Sequence, residues 1–178
     1  MYKRQRLHDH LETNVAADWR QRVGDVEAAL RAAGWDPEVR DDARARRWTL
    51  DVAAYATPDG RMHTVVPAAV EVFARYGGVE LPPSDEGRDV APAGFRLDPT
   101  RGLASVATLI AFGGIVHSKL TPIGDEGAGT GLLAVDGDGR VFVLDHTGEW
   151  FLGDTIEDAL TTLVLGLQPP RVRRDGTW

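Results

Sequence analysis

In this 178-residue chain the residues that could do chemistry are acids and histidines, since it contains no cysteine. That absence removes disulfides, thiolate metal sites and cysteine nucleophiles together. Asp136-Gly137-Asp138-Gly139 has the alternating carboxylates of a calcium loop. A calcium loop also needs a third acid, a glutamate at fixed spacing and helices on both sides. Apolar runs of strand type flank this segment instead, and Asp-Gly supplies the positive φ of a tight hairpin turn. His8-Asp9-His10 brings two imidazoles without a third ligand. The carboxylate pairs Asp125-Glu126 and Glu157-Asp158 stand side by side, whereas acid/base catalysis holds two acids across a substrate. Gly124–Gly131 matches no phosphate-binding fingerprint, carries two acids where a phosphate would sit, and is read as a flexible loop before a hairpin. No serine-hydrolase elbow is present. These residues complete no catalytic, metal or cofactor set, and the chain reads as non-enzymatic.

Charge says more. The chain carries a net charge of -7, so it lacks the clustered Lys and Arg that phosphate backbones require, and it is not expected to bind nucleic acid. From Thr121 to Leu167 nine acids face Arg140 alone, a net charge of -8. Within that segment Asp125, Glu126, Asp136, Asp138, Asp145 and Glu149 fall on turns and strand positions. They are expected to face solvent and to present a negative field to a basic protein partner. No apolar run reaches membrane-spanning length, and Met1–Arg6 lacks the apolar stretch of a secretory signal, so a cytoplasmic location is expected. The oligomeric state is left open.

The elements that must hold these acids follow in order. Val15, Trp19, Val23, Val26, Leu30 and Ala33 step by three or four and predict an amphipathic helix ended by Gly34, with Trp19 in the core. Arg40–Arg47 reads as a solvated connector, and Trp48–Tyr55 as a first strand. Pro67 opens a second helix with Val66, Val70, Phe73 and Ala74 inward, closed by Tyr76-Gly77-Gly78. Leu81–Phe95 is proline-rich and reads as a long loop with at most one short strand. Asp98-Pro99 caps a third helix whose buried face is Leu103, Val106, Ala107 and Ile110, ended by Gly113-Gly114. Leu132–Val135, Val141–Leu144 and Glu149–Leu152 then form a three-stranded meander. Asp154 with Glu157 reads as a capping box for a last helix built on Ile156, Ala159, Leu160, Leu163, Val164 and Leu167. The C-terminal segment with Arg171, Arg173 and Arg174 reads as a loose basic tail, with Trp178 at its end either free or a docking anchor. The fold class is α+β: a mainly antiparallel sheet with a C-terminal meander and about four helices, in one domain over 14–168, with a flexible 1–13 and a basic tail 169–178.

A succession of short motifs resembles a known family. Gly34-Trp35-Asp36-Pro37 with Arg40, Phe73-Ala-Arg-Tyr76-Gly77-Gly78-Val79, Asp98-Pro99 and Leu120-Thr-Pro122-Ile123-Gly124 come first. Gly139-Arg140-Val-Phe and Trp150-Phe-Leu-Gly153-Asp154-Thr155-Ile-Glu-Asp-Ala159-Leu160 follow. Together, over roughly residues 19–168, they resemble the third subgroup of the SUKH superfamily of bacterial immunity proteins. The resemblance implies a non-enzymatic α+β domain that binds and neutralises a cognate protein toxin, often a basic nuclease or nucleic-acid deaminase of a polymorphic toxin system. Another branch-type role, a general intracellular protein-binding module, is the alternative. The motifs are fold markers, so no binding residue follows from them. Tyr76 stands where phenylalanine is more usual.

Overall fold

The computed structural model describes residues 21, 22 and 24–178. Trp19 and the His8-Asp9-His10 segment therefore lie outside the described residues, as does most of the predicted N-terminal turn of the first helix. Helix α1 is described over 21–22 and 24–32, and Val26 and Leu30, four residues apart, turn into the core.

Helix α2, Asp42–Ala54, replaces the expected connector and first strand. Leu50 is 63% exposed while Ala45, Trp48 and Val52, at helical spacing, face the core. The start is fixed by Asp41, whose carboxylate accepts the Arg44 N–H at 2.8 Å. Arg44 then donates to the Phe73 and Ala74 carbonyls at 2.9 and 3.1 Å, covering the last turn of the next helix. The Arg-rich segment is thus a helix with a structural arginine, as its high helix propensity favours.

Helix α3, Pro67–Arg75, begins with proline in its first turn and buries Ala69, Val72, Phe73 and Ala74. Two-residue strands β1, Glu80–Leu81, and β2, Phe95–Arg96, bracket the proline-rich loop. Asp98 caps a 3-10 turn, Pro99–Ser105, by accepting the Thr100 N–H at 3.0 Å. Helix α4, Val106–Val116, follows and buries Val106, Leu109, Phe112 and Val116. Ala107 and Ile110, expected inside, are exposed, and the helix runs through Gly113-Gly114 to a left-handed His117 (φ 53°). The 3-10 turn shifts the helical phase, which a uniform 3.6-residue count does not anticipate.

Strands β3 (Leu120–Glu126), β4 (Gly131–Asp136), β5 (Val141–Asp145) and β6 (Gly148–Gly153) complete a six-stranded antiparallel sheet in the order β1-β2-β3-β4-β5-β6. Gly124 belongs to β3 and not to a flexible loop: a Cβ there would stand 2.0 Å from the Arg96 carbonyl oxygen of β2. Only Gly127–Gly129 form the connecting turn. The predicted meander is present, and alternation along it feeds two cores. Leu133, Val135, Val141 and Val143 meet α1, α2, α3 and the last helix, α5 (Ile156–Leu165). Ala134, Phe142 and Leu144 meet Leu109, Phe112 and Val116 of α4 on the opposite face.

Two terminal details differ from expectation. The cap of α5 is Thr155, whose hydroxyl accepts the Asp158 N–H at 3.2 Å and donates to the Asp158 carboxylate at 2.9 Å. Asp154 is free of that role because the helix begins one residue later. The tail is docked: Phe151 N–H donates to Pro170 and Val172 N–H to Glu149, as though adding a strand to β6. Val172 is buried, and Trp178 stacks on Phe151 at 4.3 Å with Arg140 over its ring, so the indole is not free.

Candidate functional site

The six acids expected on one surface separate into four environments. Asp136 is fully buried: one carboxylate oxygen accepts the Asp138 and Arg140 N–H groups at 3.0 Å each, the other the Arg140 Nε–H at 2.7 Å. It organises the β4–β5 turn and touches no solvent. Asp125 is buried on β3, 3.6 Å from Arg101 Nε. Neither residue is exposed as the sequence reading required, because each strand of a sheet covered on both faces turns every side chain toward a layer.

Glu126 and Asp145 lie together at the far end of the sheet. Burial pushes the Glu126 carboxyl above its ordinary range, and the Asp145 charge adds to that. Burial also opposes charge on Asp145, but hydrogen bonds from Thr147, Gly148 and Trp150 outweigh it and hold that carboxyl low. For Glu126 the sign is unfavourable to the fold at neutral pH: its proton is held more tightly folded than unfolded, so stability is lost as pH rises through its folded range. Glu126→Gln should therefore melt at a higher temperature than the parent at pH 7, with the gain fading as pH approaches 4. Scanning fluorimetry at several pH values checks this, and an equal melt at pH 7 contradicts it. Glu149, half-buried on β6, shares a recess with Arg171, Arg173 and Arg174 of the docked tail, so its charge is locally offset.

Asp138 belongs to a different place. Its side chain is 74% exposed on the β4–β5 turn, where it meets the start of α5 and the side of α3. These elements enclose a groove of about 340 Å³. Ala68, Val72 and Ile156 give it an apolar floor; Glu71, Asp138, Asp154 and Glu157 stand at its rim with Arg75. Glu71 is held by Arg40 through two bonds of 2.7 and 3.0 Å, which lowers its carboxyl below the ordinary range. Tyr76 donates its hydroxyl to Glu157 at 2.7 Å, and burial first, then this bond, pushes the phenol up. Trp35 stacks on Tyr76 at 5.5 Å and fixes the ring. The extra hydroxyl at position 76 thus orients one rim acid. Asp154 and Glu157 were visible in the sequence as acids but were assigned to a helix cap. Glu71 was missed, since nothing local reveals that α3 lies beside the β4–β5 turn.

Fold and groove define an α+β domain with an acid-rimmed, apolar-floored recess open to solvent at one end of its sheet. The chain belongs to the SUKH-3 immunity protein family, whose model matches residues 23–166. Searches of curated proteins and of solved structures gave no match. Among the described residues no group of three or more His, Asp or Glu is placed to hold a metal ion.

Proposed function

We propose that this protein binds a cognate bacterial protein toxin in the cytoplasm and neutralises it by covering its active site or an adjacent surface. Membership of the SUKH-3 immunity protein family carries this reading. The toxin is proposed to be basic, a nuclease or a nucleic-acid deaminase, which suits a chain of net charge -7. Docking is assigned to the groove between α3, α5 and the β4–β5 turn. Its floor accepts the aliphatic stem of an arginine or lysine while Asp138, Asp154 and Glu157 meet the charged head.

This changes which residues a test should reverse. Asp125 and Asp136 are buried, so lysine there would confound folding with binding. Asp138→Lys with Asp154→Lys leaves the core and the Thr155 cap untouched, and typical surface changes stay within about 0.5 kcal/mol each. The double variant should melt close to the parent yet associate at least about 10-fold more slowly with the toxin encoded beside this gene, with a weaker salt dependence. Cells making that toxin should no longer be protected. Full protection and unchanged salt dependence would remove the groove from the interface. Failure of the parent itself to protect against any toxic protein encoded nearby would remove the immunity reading.

A further inference from the structure

Tyr76 follows the last turn of α3 with a buried ring, and its hydroxyl crosses to α5, where it donates to Glu157 Oε1 at 2.7 Å. That ring is held in place. Trp35 stacks on it at 5.5 Å with the planes 7° apart, and the Trp35 indole N–H donates to the Arg75 carbonyl at 3.0 Å. The phenol is therefore a fixed point, and it immobilises a glutamate that is otherwise an exposed side chain. It does so without bringing a charge. The other acids of the groove differ: Glu71 is held by the Arg40 guanidinium with Arg75 at 3.4 Å, Asp138 lies 3.5 Å from Arg140 Nη2, and Asp154 has no ion pair among the described residues. Of the four, Glu157 is the one both held still and left with its whole charge.

A carboxylate fixed in one plane does not serve every cation equally. The terminal torsion of a glutamate is broad, so an unheld carboxylate must give up that freedom to meet a partner that demands a defined plane. A lysine ammonium makes no such demand: it is a compact point charge whose three donors turn on a flexible stem. An arginine guanidinium does, because its donors form a rigid planar fork that bonds best to a coplanar carboxylate. The phenol bond does not use up the acceptor, since a carboxylate offers about four lone-pair sites. The apolar floor of Ala68, Val72 and Ile156 takes the methylene stem of either residue and separates neither. We propose that Tyr76, acting through Glu157, makes the groove selective for arginine over lysine, so that the partner docks through a guanidinium. This rests on the groove assigned above and not on the identity of the toxin.

Two small probes test it without the toxin. Nα-acetyl-arginine amide and Nα-acetyl-lysine amide are titrated separately into the full chain, and the backbone amide resonances of Gly139, Ile156 and Glu157 are followed by NMR. In the parent the arginine probe should shift these amides and bind about 10-fold more tightly than the lysine probe. Tyr76→Phe keeps the ring and its stack on Trp35 and removes only the donor. It should lose arginine affinity until the two probes agree within about 2-fold, with lysine affinity nearly unchanged. A general loosening of the fold would weaken both probes together, so the split between them reports positioning. Glu157→Gln, which keeps an acceptor for the phenol but not the charge, should weaken both. Equal affinities in the parent, selectivity that survives Tyr76→Phe, or no shift from either probe up to about 0.1 M overturns the proposal. The last of these outcomes also removes the groove as a docking site. Arginine selectivity in a protein that protects against no toxin would keep this inference and remove the immunity reading.

Discussion

Asp136→Ala should lose about 3 to 5 kcal/mol of stability, the usual result of removing one partner of a buried ion pair, or roughly 6 to 20 °C of melting temperature. The carboxylate is fully buried and accepts two backbone N–H groups and the Arg140 guanidinium. Alanine leaves all three donors without that acceptor. Arg140, itself mostly buried, then keeps its charge beside the Phe142 and Trp178 rings. Asp136→Asn should cost less, since its amide oxygen can still accept the turn N–H groups. Thermal melts of the two variants give the ranking. If alanine melts within a degree or two of the parent, Asp136 does not hold the turn.

Phe142→Ala is the second large effect, at about 3 to 5 kcal/mol for deletion of a fully buried aromatic. Phe142 has no exposed surface and stands at the centre of the core under α4. Its ring meets the edges or faces of Phe112, Phe151 and Trp178 at centroid distances of 5.2, 5.7 and 5.9 Å. Each such pair contributes about 0.5 to 1.5 kcal/mol beyond area burial, so the loss should fall in the upper part of the range. The tail should respond as well. Trp178 would lose one of its two ring partners, and its fluorescence should shift toward that of a solvated indole before global unfolding. An unshifted spectrum would mean that the Phe151 stack, Arg140 and the backbone bonds to β6 hold the tail without Phe142.

The sequence by itself determined the parts of this protein whose information is local. The Asp136–Gly139 turn, the three strands of the meander, the Pro67 helix start, the Asp98 cap and the inward face of α5 all depend on neighbours within a few residues. Turn dihedrals, caps and hydrophobic periods are read there directly. The same local reading misplaced Trp48–Tyr55, because Trp, Leu and Val at alternate positions satisfy period two while Ala45, Trp48 and Val52 satisfy the helical one. What chose between them was Phe73 of α3, against whose ring edge Trp48 packs at 5.8 Å. The acids show the limit most plainly. Composition located the -8 segment, but a carboxylate on a covered strand and one on a turn look alike in sequence. Only the packing of helices on both faces buried Asp125 and Asp136, and only the approach of α3 to the β4–β5 turn gathered Glu71, Asp138, Asp154 and Glu157 around one groove. Exposure and convergence depend on contacts between residues distant in the chain, and no local pattern carries them.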